Sequence, residues 1–290
     1  MTTQKIQQVA LVGGTHGNEL TGIELIRKFL RHPYLLKRKS FKTIPILGNP
    51  QAIKACQRFV DYDLNRSFDP KNLEVTDDST TYEKQRAKEI KKVITSNKVD
   101  CIFDLHSTTS DVGLTVILFN HNAFNLNLAY YLQVIHGLKI CSFYSEGQQT
   151  SFLNTLCANG FAIEVGPIAQ GVLDYSLFEK TQHLIENIFD FIVQWNSGLM
   201  SQSESVTVYK KVKPVLFPLH SNELAGFIHP KIKNFLPIKT GDPLFITFDN
   251  QVVTLTETSG SGLYPFLVNE AAYYASNLAF YLMAKHEIAL

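Results

Sequence analysis

Cysteine is scarce in this sequence, and its four residues, Cys56, Cys101, Cys141 and Cys157, form no Cys-x-x-Cys pair. This pattern supports neither a disulfide framework nor a thiolate metal site. Two of the four lie within apolar runs, as reduced core cysteines do. We therefore expect a cytoplasmic protein.

An excess of charge and a long hydrophobic run are also missing. The 290 residues carry 27 lysines and arginines against 26 aspartates and glutamates, a net charge of +1. Neither nucleic acid nor an anionic membrane surface is therefore an expected partner. No apolar run approaches the roughly 20 residues of a membrane span, and the first five residues show no apolar signal segment. With 45% apolar residues, the chain can bury a large core in one or two domains.

The first stretch that suggests chemistry is Gly13-Gly14-Thr15-His16-Gly17-Asn18-Glu19, which follows an apolar run at residues 9–12. A run of β-formers that stops at two glycines predicts a buried strand ending in a tight loop. Imidazole and carboxylate are ligands that suit zinc, and the spacing of His16 and Glu19 lets one turn of backbone offer both. A chance His-x-x-Glu and a phosphate-binding turn are the alternatives, although the glycine spacing fits neither common phosphate motif.

A third ligand, His106, is predicted at the end of a second buried run, residues 101–107. Parallel sheets place functional residues at the carboxyl ends of their strands, where His106 could meet His16. Asp104 precedes His106 by two residues, so both side chains leave the same strand face. Asp104 would either orient a ligand from outside the coordination shell or make a structural hydrogen bond.

Strand and helix signals alternate over the first two thirds of the chain, which favours a mainly parallel sheet covered on both faces. Helical spacing of apolar residues and capping signals mark the helices, the first capped by Asn18 and the second opened by a capping box that ends at Glu83. The predicted strands are 9–12, 41–47, 101–107, 114–119 and 161–167, and the predicted helices are 18–30, 80–95, 125–135 and 174–198.

Composition changes to serine, glycine and glutamine at residues 197–205, which is typical of a linker. Short β runs follow at 206–209, 225–228, 244–248 and 252–256, with Asp249-Asn250 as a hairpin turn between the last two. The sequence thus predicts a catalytic α/β domain at residues 1–198 and a smaller β-rich domain at residues 205–290.

Residues 58–66 form a polar segment in which two arginines, Arg58 and Arg66, flank an asparagine, Asn65. Guanidinium groups bind carboxylates with paired hydrogen bonds, so this segment could hold a substrate carboxylate. A solvated surface loop with ordinary ion pairs is the alternative. Glu164 raises a similar choice, because a carboxylate inside the apolar run 161–167 needs a partner, either in a buried salt bridge or in a catalytic site.

Five segments occur in an order that resembles a known family: residues 13–19, Asp63-Leu64-Asn65-Arg66, Asp104-Leu105-His106, Ile163-Glu164-Val165-Gly166-Pro167 and residues 268–274. Together they resemble the aspartoacylase branch of the aspartoacylase and succinylglutamate desuccinylase family, from the first strand to the last helix. The resemblance implies a fold similar to that of zinc carboxypeptidases, with a smaller C-terminal β-rich domain closing over the site.

The resemblance also implies a role for each matching residue and one zinc ion per chain. Zinc would leave a coordination position open for water. Glu270 is expected to be structural. The implied roles are zinc binding by His16, Glu19 and His106, proton transfer by Glu164, oxyanion stabilisation by Arg58, α-carboxylate binding by Asn65 and Arg66, and a substrate contact from Tyr273.

The sequence departs from the family where a second substrate carboxylate would bind. An arginine and a lysine are expected there, and the matching positions hold Asn154 and Asn277. Lys139 and Lys285, which lie in nearby sequence, are the candidates to replace them. Neutral amides bind a carboxylate less strongly than cations do. N-acetylaspartate is therefore not expected to be strongly preferred over uncharged N-acetyl amino acids.

The sequence therefore predicts a zinc-dependent amidohydrolase that removes an acyl group, expected to be acetyl, from a small N-acyl amino acid such as N-acetylaspartate. A zinc carboxypeptidase that cleaves peptides and a catalytically inactive binding protein on the same fold are the alternatives. A homo-oligomer is compatible with the sequence, which does not decide the oligomeric state.

Overall fold

A computed structural model describes residues 4–74, 81–146, 151–199, 205–256 and 262–290. The helices are α1 Leu20–Arg31, α2 Pro50–Ala55, α3 Pro70–Glu74, α4 Tyr82–Ser96, α5 Ala123–His136 and α6 Tyr175–Ser197. Short 3-10 helices lie at Pro33–Leu36, Leu64–Arg66, Leu153–Leu156 and Ala271–Ser276. The strands are β1 Gln8–Gly13, β2 Lys42–Leu47, β3 Cys101–Ser107, β4 Gly113–Leu118, β5 Lys139–Ser142, β6 Asn159–Gly166, β7 Ser205–Leu216, β8 Leu219–His220, β9 Glu223–Leu224, β10 Gly226–Ile228, β11 Pro243–Thr247, β12 Val252–Thr254, β13 Tyr264–Phe266 and β14 Leu278–Ala289.

A nine-stranded sheet in the order β13-β14-β7-β5-β4-β6-β3-β1-β2 forms the centre of the fold. Strands β2, β1, β3 and β6 run parallel to one another, and so do β4, β5 and β7. Strand β4 is antiparallel to β6. The predicted α/β fold with a mainly parallel sheet is therefore confirmed, and the carboxyl ends of β1, β3 and β6 meet at one edge.

Alternate residues of β1 face two different cores, as the period-two geometry of a strand requires. Val9 and Leu11 pack in the core beneath α1, α5 and α6, whereas Ala10 and Val12 pack in a second core that includes α4. A strand buried on both faces has no polar face, which explains its continuous apolar run. Among the described residues, no helix is long and apolar enough to cross a lipid bilayer.

Three C-terminal strands extend the central sheet instead of forming a separate layer. Strand β7 pairs in parallel with β5, and β14 pairs with β7 in an antiparallel ladder from Leu278 to Ala289. The remaining C-terminal strands form a three-stranded sheet, β10-β11-β12, and a hairpin, β8-β9. The boundary at residues 198–205 remains a proposal about folding units, and residues 200–204 of the predicted linker lie outside the described residues.

Most predicted elements are confirmed, and two of the predicted caps need comment. Asn18 does not cap α1, because the cap position is Glu19 and the Asn18 amide donates to Gln170. Thr80, the first residue of the predicted capping box, lies outside the described residues, and the Glu83 side chain binds a neighbouring loop. Asp174 caps α6 by accepting a hydrogen bond from the Leu177 amide, as predicted.

Candidate active site

The site begins at the carboxyl ends of β1 and β3, which are adjacent parallel strands with Gly13 paired to Leu105. The loop after β1 turns sharply at Gly14, whose φ is +76°. A Cβ on Gly17 would lie 2.1 Å from the backbone carbon of Ala52, so only glycine lets this loop approach α2. The glycines thus set the path of the loop that carries His16 and Glu19.

His16, Glu19 and His106 form a compact, buried cluster. The Nδ1 atoms of His16 and His106 lie 2.6 and 3.0 Å from the two carboxylate oxygens of Glu19. One ligand atom from each residue lies within 4.8 Å of the others. Two imidazole nitrogens and a carboxylate oxygen that converge in this way suit a zinc ion with an open coordination position.

The outer nitrogen of each histidine faces a second carboxylate. Nε2 of His106 lies 2.7 Å from Asp104, which also accepts a hydrogen bond from the Thr15 hydroxyl at 2.7 Å. Nε2 of His16 lies 3.0 Å from Asp63. A histidine that donates from Nε2 presents an unprotonated Nδ1, which is the form that binds a metal. Of the two roles expected for Asp104, the structure supports the orientation of His106.

The buried charges of this cluster shift one another's pKa values. Burial alone would raise the pKa of Glu19, but the neighbouring His16 and His106 lower it well below its ordinary value. Burial likewise opposes ionisation of Asp63, and the nearby His16 and Arg58 nevertheless lower its pKa well below the usual range. Burial would lower the pKa of His106, but the adjacent Asp104 and Glu19 raise it well above 6.5. The carboxylates of Glu19 and Asp63 are therefore charged at neutral pH and can hold a cation.

Glu164 lies on β6 directly across from His106, to which it is paired in the sheet register. Burial raises the pKa of Glu164 to about 8, and the negative charges of Glu19 and Glu270 add to the rise, whereas His106 opposes it. A carboxyl group with such a pKa can accept and return a proton near neutral pH.

The polar segment at residues 58–66 folds against this centre. Arg58 donates to Glu19 at 3.3 Å and to Asp63 at 3.2 Å. The Asp63 carboxylate also accepts the Asn65 amide and so begins the 3-10 helix Leu64–Arg66. The guanidinium of Arg66 lies 4.6 Å from the centre of the Phe152 ring. The segment is thus attached to the candidate metal ligands and is not a detached surface loop.

The structure brings all eight of the site residues predicted from sequence to two adjoining pockets. Both pockets are lined by His16, Arg58, Glu164 and Tyr273. Asn65, Arg66 and His106 line the first, and Glu19 lines the second. Tyr273 reaches the site from the 3-10 helix Ala271–Ser276, and burial raises the pKa of its hydroxyl well above 10, with contributions from Tyr281 and Glu164.

Sequence reasoning missed the apolar wall of the first pocket. The rings of Phe119 and Phe152 lie 4.8 Å apart, and Phe143 packs at 5.1 Å from Tyr281. Phe119 and Phe143 directly follow β4 and β5. Phe119 ends a predicted strand, 114–119, which would have been a signal, whereas β5 was not predicted and gave none for Phe143. The wall consists of Ile117, Phe119, Phe143, Phe152 and Ala162.

The two asparagines expected near a substrate carboxylate do not line either pocket. Asn154 is buried, and its amide donates to the Ile102 carbonyl at 3.1 Å. Asn277 ends the 3-10 helix Ala271–Ser276 and donates to the Phe217 carbonyl at 3.2 Å. The candidate replacement cations, Lys139 and Lys285, do not line these pockets either.

Comparisons with known proteins cover nearly the whole chain. Residues 5–192 match the family model of the succinylglutamate desuccinylase/aspartoacylase catalytic domain, and residues 204–285 match that of the AstE/AspA barrel-sandwich hybrid domain. A probable aspartoacylase of Trichodesmium erythraeum (strain IMS101) is 41% identical over 98% of this chain and 99% of its own length. An N-acyl-aromatic-L-amino acid amidohydrolase (carboxylate-forming) of Rattus norvegicus is 37% identical over 98% of this chain and 92% of its own. The crystal structure of murine aminoacylase 3 superimposes with a TM-score of 0.93 at 35% identity, covering 99% of this chain and 98% of that one.

Proposed function

Because the chain belongs to the succinylglutamate desuccinylase/aspartoacylase family, we propose that it is a zinc-dependent hydrolase that removes an acyl group, expected to be acetyl, from the nitrogen of an N-acyl amino acid. The observation that carries the proposal is the convergence of His16, Glu19 and His106, with Glu164 directly across the sheet from His106. Relatives named as deacylases support the same activity.

His16, Glu19 and His106 would hold the zinc ion. Bound zinc supplies Lewis acidity, which brings the pKa of water down to about 7. Asp63 and Asp104 keep the two imidazoles in the orientation that this binding needs, through the Nε2 contacts at 3.0 and 2.7 Å.

Glu164 carries the proton in this reaction. It takes a proton from the attacking water as the water oxygen bonds to the amide carbon, and it delivers that proton to the nitrogen as the carbon–nitrogen bond breaks. The products are a carboxylic acid and a free amino acid. Glu164 is paired with His106 in the sheet register and lines both pockets, which supports this role.

Arg58, Asn65 and Arg66 position the substrate. Arg58 donates to the oxygen that becomes negatively charged when water adds to the carbonyl group. Arg66 and Asn65 bind the α-carboxylate, for which the planar guanidinium of Arg66 offers paired donors. The side-chain oxygen Oδ1 of Asn65 accepts a hydrogen bond from the backbone N–H of Leu153 at 3.0 Å, and this bond fixes the orientation of the Asn65 side chain.

The apolar wall favours an uncharged substrate side chain, aromatic or aliphatic. Arg58 and Arg66 are the only lysines or arginines among the described residues that line the two pockets, and both are assigned to groups that every N-acyl amino acid carries. A side-chain carboxylate would instead meet Phe119, Phe143 and Phe152, where it would lose its hydration. Lys211 lies over the Phe143 ring at 5.1 Å but does not line either pocket.

The test is a comparison of kcat/KM for N-acetylaspartate, N-acetylphenylalanine, N-acetylleucine and a short unblocked peptide. We expect kcat/KM for the two uncharged N-acetyl amino acids to exceed that for N-acetylaspartate by about tenfold or more. Burial of the aspartate carboxylate against the apolar wall would cost it charge-assisted hydrogen bonds, each worth about 1.5–3 kcal/mol. A hundredfold preference for N-acetylaspartate would contradict the assigned specificity. Cleavage of the peptide alone would identify a peptidase, and no turnover with zinc present would identify a binding protein.

A further inference from the structure

The 58–66 loop carries Arg58, Asn65 and Arg66, but its first part, up to Tyr62, has little packing of its own. Before the 3-10 helix Leu64–Arg66 it contains no helix or strand. Three of its apolar and aromatic side chains, Phe59, Val60 and Tyr62, are 39%, 41% and 44% exposed. Side-chain burial therefore contributes little to the position of residues 59–62, whereas Leu64 is fully buried in the second core and holds the end of the loop.

A single buried carboxylate binds residues 60–62 instead. Glu83, the second residue of α4, is completely buried. One of its oxygens accepts a hydrogen bond from the backbone N–H of Val60 at 2.6 Å. The other accepts hydrogen bonds from the backbone N–H groups of Asp61 and Tyr62 at 3.0 Å each. The first oxygen also accepts the Asn49 side chain at 3.1 Å. Three successive peptide N–H groups thus point at one carboxylate.

The attachment is reciprocal. The Asp61 side chain accepts the Tyr82 amide at 2.9 Å, at the free N-terminus of α4. A buried carboxylate is costly unless its oxygens are satisfied. Displacement of the loop would leave the Glu83 carboxylate with Asn49 alone of the four donors named above.

We propose that Glu83 is a positioning residue for the substrate-binding loop, which it fixes through the amides of Val60, Asp61 and Tyr62. This inference rests on the proposed function of Arg58 and Arg66. Arg58 lies two residues before the anchored amides. Asp63, which contacts His16, directly follows them. Fixing the amides therefore places the groups that bind the substrate relative to the metal ligands.

The test is Glu83→Gln, with Glu89→Gln as the matched control. The glutamine keeps the size of the side chain but turns one acceptor oxygen into a donor, so at least one loop amide faces another donor. Glu89 lies on the same helix with a side chain that is 64% exposed. Hydrogen exchange of residues 58–66, zinc content and steady-state kinetics on the best N-acetyl substrate are measured for each protein.

In Glu83→Gln we expect zinc to stay bound at about one per chain, loop amides to exchange at least tenfold faster, and KM to rise roughly tenfold or more, by more than kcat falls. Glu89→Gln should match the wild type in all three. Unchanged loop exchange, or faster exchange with KM within twofold of the wild type, overturns the proposal.

Two further results separate the possible failures. If Glu83→Gln does not fold, Glu83→Asp keeps the charge with a shorter reach, and it must raise KM with zinc retained or the proposal is overturned. If the wild type itself shows no turnover, the proposed function fails. The exchange rates then decide alone whether Glu83 holds the loop.

Discussion

Each histidine of the candidate zinc centre is held at both ring nitrogens by carboxylates. His16 lies between Glu19 and Asp63, and His106 lies between Glu19 and Asp104. The ring centres are 5.0 Å apart. The outer aspartates contact the Nε2 atoms, so that both Nδ1 atoms face Glu19.

Glu164→Gln tests the proton carrier. The amide cannot take a proton from water, so we expect kcat to fall by roughly a hundredfold or more while zinc content stays the same. Glu89→Gln, an exposed change of the same type, should leave kcat unaltered. Steady-state kinetics with metal analysis of both variants checks this, and a near-wild-type kcat in Glu164→Gln would require another base.

The raised pKa of Glu164 also predicts a pH effect on stability. In zinc-free protein its pKa is about 8, against an ordinary 4.5. Between these pH values the folded state keeps a proton that the unfolded state has released. The stabilisation that Glu164 gives the folded state is therefore full below pH 4.5 and is lost as the pH rises through 8. The free energy of unfolding of wild type should therefore fall relative to Glu164→Gln, by up to about 1.4 kcal/mol per pH unit. Urea unfolding with chelator at pH 5 and pH 8 measures this, and a constant difference would contradict it.

At the residue scale, the sequence singled out the candidate site residues and Asp104, which contacts His106, but not the roles of Glu83 and Asp63 in holding them. His16 and Glu19 follow the end of β1, and His106 lies in the last residues of β3. The contacts of Glu83 and Asp63 depend on how the 58–66 loop folds back against α4 and His16. Local sequence patterns do not encode this folding. The misplacement of Asn154 has the same origin, since its partner is the carbonyl of Ile102, 52 residues away.

At the element scale, one contact joins the 3-10 helix Ala271–Ser276 to the end of β3. The Glu270 carboxylate is buried and accepts hydrogen bonds from the Thr108 hydroxyl and from the Thr109 amide at 2.7 Å. Its other oxygen accepts the Ala272 amide at 3.0 Å and begins the 3-10 helix. Tyr273 follows directly, so Glu270 fixes the element that brings Tyr273 to the site.

Glu270→Gln should release this element. Loss of a buried charge-assisted hydrogen bond lowers the free energy of unfolding by about 1.5–3 kcal/mol. Displacement of Tyr273 should lower kcat/KM by roughly tenfold to a hundredfold, with zinc content unchanged because no metal ligand lies on this element. Glu223→Gln, an exposed change in the same half of the chain, serves as the control. A kcat/KM equal to that of the control would show that the contact is not needed for Tyr273.

Elements with strong local signals were predictable, and those with an ambiguous signal were not. Helix α6 has a capping aspartate at Asp174 and a left-handed glycine at Gly198, and both ends were found from the sequence. Strand β14 was missed because its apolar run, residues 278–284, cannot be told from a buried helix by periodicity alone.

At the scale of the whole molecule, the continuous sheet connects the two halves of the chain. Strand β7 lies between β5 and β14, so removal of residues 205–290 would expose the β5 edge. We therefore expect one cooperative unfolding transition, although the family models divide the chain. The fluorescence of the single tryptophan, Trp195 on α6, should change at the same urea concentration as the far-ultraviolet circular dichroism. Two separated midpoints would show that the halves unfold independently.

The central claim is that His16, Glu19 and His106 form a zinc centre that deacylation requires. The most direct measurement is zinc content together with turnover of an N-acetyl amino acid, before chelation, after chelation and after zinc is restored. The account predicts about one zinc per chain, loss of turnover with the metal and recovery with zinc, and neither metal nor turnover in His106→Ala. Full zinc content in His106→Ala, or undiminished turnover by the chelated wild type, would contradict it.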